Sequence, residues 1–198
     1  MALQGYNALI KVQSSAVAFT GEATTTSDDT IYQIDNTDKR IWDLNTAVVV
    51  LEDASATTEE YTLSYLTGKV TFASEDDGRG TVTVTGGYVT PATVASAKSF
   101  TFSGTSDMYE SSVFGSLYRA FEPGLVSGTG SMSRFFVADD LFIDVLLDGT
   151  YKIIEFYPLS SGDPIQFYAI ITSDSIDASV DGLIEESIDF QITKEMGI

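Results

Sequence analysis

Acidic residues stand side by side at Asp28-Asp29, Asp76-Asp77, Asp139-Asp140 and Glu185-Glu186. Clustered carboxylates can hold a calcium ion, and two carboxyls facing across a cleft can cleave a glycosidic bond. None of the four pairs falls in the D-x-[DN]-x-[DN]-G order of a calcium loop. Adjacent residues on a strand point to opposite faces, so such a pair does not converge on one ion. With 29 acids in 198 residues, glycosidase-like pairs arise from number alone. The glycine-rich SGTGSMS (127–133) is not followed by the Lys-Ser/Thr of a phosphate-binding loop. Within FEPGLVSGTGSMS (121–133) it reads as a connecting loop.

The missing residue types narrow the chemistry further. The chain has no histidine and no cysteine. Ser-His-Asp and Cys-His nucleophiles are therefore impossible within it, and so are disulfides and thiolate zinc sites. The lone Trp42 beside Asp43 does not make a carbohydrate platform. No enzymatic activity, cofactor or metal is expected. Ten bases leave a formal net charge of −19. Such a surface keeps a protein dispersed and repels phosphate backbones, so duplex binding through cation release is not expected.

Period-two alternation dominates the chain. VVVLED (48–53), GTVTVTGGYVT (80–90) and KSFTFSG (98–104) read as strands, and YTLSYLTGKVTFA (61–73) reads as a hairpin turning near Thr67-Gly68-Lys69. TYKIIEFY (150–157) and PIQFYAIIT (164–172) are apolar on both faces and belong inside a sheet or against a helix. ADDLFIDVLLDG (138–149) is the one helix expected, spanning about 139–148. It has acids at its start, Phe142, Val145 and Leu146 on one side, and Gly149 as its stop. Segments 20–29, 52–60 and 74–80 read as acidic loops. These elements predict a mainly β fold, a β-sandwich or barrel with one flanking helix. A single domain over 1–198 is expected, with a possible hairpin excursion at 48–90. The N-terminus has no basic head before an apolar block, and no run of 18 apolar residues occurs, so neither a secretory signal nor membrane insertion is expected.

The C-terminal stretch SIDASVDGLIEESIDFQIT (175–193) is the most patterned. Ile176, Ala178, Val180, Ile184, Ile188, Phe190 and Ile192 form an even, apolar side; Asp177, Asp181, Glu185 and Asp189 form an odd, acidic one. Glu186 and Leu183 break the pattern. Asp181-Gly182 is the expected turn, and the even side is expected in the core.

Several stretches, taken in order, resemble the major tail tube proteins of long-tailed bacteriophages. They are GYNALIKVQSSAVAFTGEA (5–23), YTLSYLTGKVTFA followed by GTVTVTGGYV, FGSLYRAFEPGLVSGTGSMSRFF (114–136) and DGLIEESIDFQIT (181–193). The resemblance implies a β-sandwich or barrel subunit with one helix. It implies rings, six copies each, stacked into a hollow tube that passes DNA without binding it specifically. It also implies assembly in the host cytoplasm, a place in the virion tail, and contacts with tape measure, tail terminator and baseplate or tip proteins. In that setting Asp177, Asp181, Glu185 and Asp189 become candidates for an acidic lumen or outer surface. Arg119, Arg134, Lys39 and Arg40 become candidates for charge pairs between subunits. Loops 20–29, 52–60 and 74–80 and the N-terminal segment become candidates to reach the next ring. The alternatives are a monomeric acidic β-sandwich that binds a ligand or decorates a virion, and a small hydrolase with an acidic pocket.

Overall fold

The computed structural model describes residues 8–26, 28–75, 78–94, 96–114, 117–136, 142–159, 162–180 and 182–197. Asp76, Asp77, Asp139, Asp140, Asp181 and the first seven residues lie outside these. The strands are β1 (Leu9–Gln13), β2 (Val17–Thr26), β3 (Ile31–Ile34), β4 (Val49–Glu52), β5 (Ser55–Ala56), β6 (Tyr61–Ser64) and β7 (Lys69–Phe72). They continue as β8 (Val82–Tyr88), β9 (Pro91–Thr93), β10 (Ala97–Glu110) and β11 (Phe121–Phe135), then a helix α1 (Phe142–Asp148). The last three are β12 (Tyr151–Tyr157), β13 (Ile165–Asp177) and β14 (Glu185–Gly197). The fold is mainly β with one short helix, as the alternation predicts. By internal contacts the chain divides into two units: 1–94 with 151–168 and 194–198, and 95–150 with 169–193.

In the first unit a seven-stranded sheet runs β5-β4-β8-β2-β3-β7-β6. It curls, because Val50 of β4 and Phe72 of β7, far apart in strand order, share one core with Phe19, Ile34, Trp42 and Val84. Aromatic rings fill this core edge to face, Tyr32 on Phe72 at 5.6 Å and Trp42 on Tyr65 at 6.0 Å. The segment 48–90, expected as a possible excursion, supplies Val50, Val70, Phe72, Val82 and Val84 to that core. The hairpin at 61–73 forms as predicted, with Gly68 at φ +62° in its turn.

TGEATTTSDD was expected as a loop, but residues 20–26 belong to β2. Here the tertiary context overrides composition. β2 pairs with β8 through Ala23 and with β3 from Thr24, so one strand carries the sheet round its corner. A bulge between Phe19 and Glu22 makes the bend, with Gly21 at φ +61°, a conformation only glycine adopts without strain. The same unit holds the antiparallel order β9-β1-β12. Ile153, Ile154 and Glu155 of β12 are buried in succession, as are Phe167, Tyr168 and Ala169 of β13, which fits strands covered on both faces.

The second unit is built on the antiparallel pairs β10–β11 and β11–β14. FEPGLVSGTGSMS, expected as a connecting loop, is a strand throughout. Its glycines are required by packing: a Cβ on Gly130 would run into the Phe190 ring and the Thr101 carbonyl, and one on Gly128 would meet Ile192. The helix forms where predicted, with Phe142 and Val145 buried; residues 137–141 lie outside the description. Gly149, at φ +62°, donates its N–H to the Val145 carbonyl and ends it.

The even side of the C-terminal stretch divides. Ile188 and Phe190 are buried, whereas Ile176, Val180 and Ile184 are exposed. Ile176 lies near the end of β13, and Val180 and Ile184 lie in the connection from β13 to β14. Glu186 is 0% exposed. Its carboxylate accepts from Nε of Arg134, the residue opposite it on β11, and the guanidinium lies 4.7 Å from the centroid of Phe142.

Two polar centres thus lie inside the units. Asp43, 4% exposed, accepts from Gln13 Nε2 (3.1 Å), Asn45 Nδ2 (2.9 Å) and Thr46 Oγ1 (2.7 Å). Burial pushes its pKa up, but these donors outweigh burial and hold it below the usual aspartate value. Its stabilisation is present above the unfolded pKa, near 4, and is lost as pH falls through the lower folded value. Asp43→Ala should cost about 3 kcal/mol in urea unfolding at pH 7. Asp43→Asn should flatten the loss of stability below about pH 4; an unchanged acid limb would remove Asp43 as its source. Glu186→Ala should cost about 4 kcal/mol by removing the buried carboxylate that Arg134 donates to, and the pair Arg134→Met with Glu186→Leu should recover most of it. A double variant no more stable than Glu186→Ala would show that the pair does more than neutralise charge.

Candidate assembly surfaces

The register of β10, β11 and β14 sorts the second unit's sheet into two faces. Phe100 lies opposite Met132 and Met132 opposite Ile188, while Gly130 lies between Phe102 and Phe190. Phe100 stacks on Phe190 with ring centroids 5.7 Å apart. The alternate residues form the other face. Ser99 and Ser133 share a hydrogen bond of 2.6 Å, Thr101 and Ser131 one of 2.8 Å, and Thr105 and Ser127 one of 2.9 Å. The next strand adds Ser187, Asp189 and Gln191 opposite Ser133, Ser131 and Thr129. This is a face of hydroxyls and carboxylates. Period-two spacing of serine and threonine in KSFTFSG and SGTGSMS was its sequence signal.

Of the candidate acids, Glu185 and Asp189 are exposed at alternate positions on β14, and Asp177 is exposed at the end of β13. Glu185 pairs with Lys98. Asp181 lies outside the described residues. The adjacent Asp28-Asp29 serves a turn: Asp28 Oδ1 accepts the N–H groups of Thr30 (3.1 Å) and Ile31 (2.9 Å). Among the described residues no three acids gather as metal ligands would.

The four candidate cations all have partners within the chain. Arg134 is buried with Glu186, which sequence reasoning had marked only as a break in the pattern. Lys39 pairs with Glu22 beside the ring of Tyr88. Arg40 Nε donates to the Ile34 carbonyl at 3.0 Å. Arg119 is different, with its side chain 77% exposed and 3.9 Å from Glu110. The acidic loops are tied to one another. Arg79, from 74–80, donates to the Asp29 carbonyl (3.0 Å), pairs with Glu59 and lies over the Phe72 ring at 3.7 Å. Gly80 N–H donates to Glu52 and Thr81 N–H to Asp53.

The hairpin of β10 and β11 was not among the expected arms. The described pairings of β11 with β14 run from Gly128 to Phe135. Its pairing with β10 continues as far as Glu110 opposite Phe121. The hairpin's strands expose Met108, Tyr109, Phe121, Leu125 and Val126, and the connection between them exposes Val113, Phe114, Leu117 and Tyr118. Exposed apolar patches of this kind mark interaction surfaces.

No family model matches the chain, and no curated protein matches it. Among solved structures, it is similar to a chain in the tail of an empty gene transfer agent particle with C6 symmetry. That similarity has a TM-score of 0.48 and 16% identity, and covers 54% of this chain and 84% of the other. It is also similar to a chain in the virion of a native gene transfer agent particle, with a TM-score of 0.48, 16% identity and coverage of 54% and 86%.

Proposed function

We propose that the chain is a structural subunit of a phage-type tail that assembles with copies of itself into rings stacked as a hollow tube. The observation that carries this is the β10–β11 ribbon. It exposes large apolar side chains, and water is a poor environment for them. Burying the outer ends of Phe114, Leu117 and Tyr118 would release roughly 25 cal/mol per Å² of apolar surface. Self-association supplies that burial wherever the protein is concentrated. β10 stands at the edge of its sheet, so its outer backbone groups are placed to extend the ladder onto a neighbour.

In this reading the face of Ser, Thr, Glu185 and Asp189 lines the channel. It presents acceptors and hydroxyls and little positive charge, which leaves passing DNA unbound. Repulsion acts within about 8 Å of the wall at physiological salt. The tube would stand in the virion tail beside other tail proteins, and its work would be assembly and conduction. Assembly must overcome the net −19 of every copy. Added salt therefore promotes it by screening.

Purified protein should form rings or tubes in negative-stain electron microscopy, more readily at high concentration and at 0.5 M salt than at low salt. A strict monomer under all these conditions would sink the proposal.

A further inference from the structure

We propose that the outward face of the first unit's seven-stranded sheet receives a second copy of this chain, and that Lys69 takes a carboxylate from that copy. This contact rests on the tube reading above and names one of the surfaces through which copies meet.

The ladder register sorts the sheet into two faces. Val50, Val84, Ile34, Val70 and Phe72 point into the core. Alternate positions point outward. Leu51 lies opposite both Thr83 and Ala56, and Val49 lies opposite Thr85. Across the corner, Gln33 and Ser64 lie opposite Lys69, and Ile31 and Thr62 lie opposite Thr71. None of these side chains is buried. They present methyls, hydroxyls, one amide and one ammonium. The seven strands β2 to β8 contain two acids, and both take inward positions. Glu22 lies opposite Val84 and Glu52 opposite Val82. Glu22 pairs with Lys39, and Glu52 accepts the Gly80 N–H at 3.2 Å. Between the strand ends, the outward face therefore holds no carboxylate, in a chain of net charge −19. Acids are not kept out of strands in general, since β14 carries Glu185, Glu186 and Asp189.

Lys69 is the one base on this face. Among the described residues its ammonium has no ion-pair or hydrogen-bond partner. Its neighbours are engaged elsewhere: Gln33 Nε2 donates to the Thr67 carbonyl at 2.8 Å, and Thr67 Oγ1 donates to Ser64 Oγ at 2.8 Å. Lys39, Arg40, Arg79, Lys98 and Arg134 all have acceptors within the chain.

Charge decides what can approach. Two copies at −19 repel wherever carboxylate meets carboxylate, and such juxtapositions are what exclude wrong contacts. A face with one unpaired ammonium and no carboxylate attracts the acidic surface of another copy. A two-fold contact would set this face on itself, with Lys69 beside Lys69 and no carboxylate for either. The contact is therefore heterologous, and it leaves the same face open on the neighbour for a further copy.

A water-soluble carbodiimide joins an amine to a carboxylate that touches it. Applied to particles grown from equal amounts of unlabelled and heavy-isotope-labelled protein, it should join Lys69 to an Asp or Glu in mixed-label peptide pairs, which only a link between copies produces. Lys69→Glu and Thr83→Glu each add a carboxylate to the face. Each should raise the concentration needed for assembly on the order of tenfold. Lys69→Arg keeps the charge and should assemble as wild type does. Both positions point outward, so melting temperatures should stay near that of wild type. Particles in which Lys69 is joined only within its own chain or not at all, or Lys69→Glu assembling at the wild-type concentration, overturn this contact and leave the tube reading in place. A wild-type chain that stays monomeric overturns both.

Discussion

A charge buried among apolar side chains must be paired, and Glu186 is such a charge. Its partner Arg134 sits directly opposite on β11, and the Arg134 guanidinium faces the ring of Phe142 from α1. This contact fixes the register of β11 against β14. A slip of one residue would turn Glu186 toward the hydroxyl face and bring Ser187 and Asp189 inward. Two charges would then lose their partners, at several kcal/mol each. The separation of an aromatic face from a hydroxyl and carboxylate face depends on that register being held.

From there the properties of the sheet follow in order. With the register held, Gly128 and Gly130 fall where Ile192 and Phe190 need room, and the serines and threonines of β10 and β11 fall opposite one another. Hydroxyl-to-hydroxyl hydrogen bonds satisfy that face without drawing on charge. The same ladder carries the β10–β11 pairing on to Glu110 and Phe121. Exposed Phe114, Leu117 and Tyr118 gather in the connection between those two strands.

The first unit solves a different problem. Its sheet closes on an aromatic core and needs a strand that can turn a corner, which Gly21 and the β2 bulge provide. Its acidic loops are held by Arg79, Glu52 and Asp53, so the negative charge there is organised by local bonds. Asp43 plays the corresponding part inside, joining Gln13 of β1 to Asn45 and Thr46 after Trp42. Neither centre is visible as a motif, since each gathers residues from distant parts of the chain.

Local pattern by itself determined the class of fold, the helix around Phe142 and Val145, the hairpin turn at Gly68, and strands at 48–53, 80–90 and 150–157. These depend on period, glycine and neighbour identity, all of which are written along the chain. It also showed Glu186 as out of place on an apolar side. Tertiary structure alone decided that this misfit is the buried partner of Arg134, fifty-two positions away. It decided that the glycine-rich 121–133 is a strand, because Phe190 and Ile192 come from β14 to fill the space the glycines leave. It decided too that Ile176, Val180 and Ile184, apolar and in phase with the core, are exposed. Alternation says which side chains share a face; only the packed structure says which of them are covered.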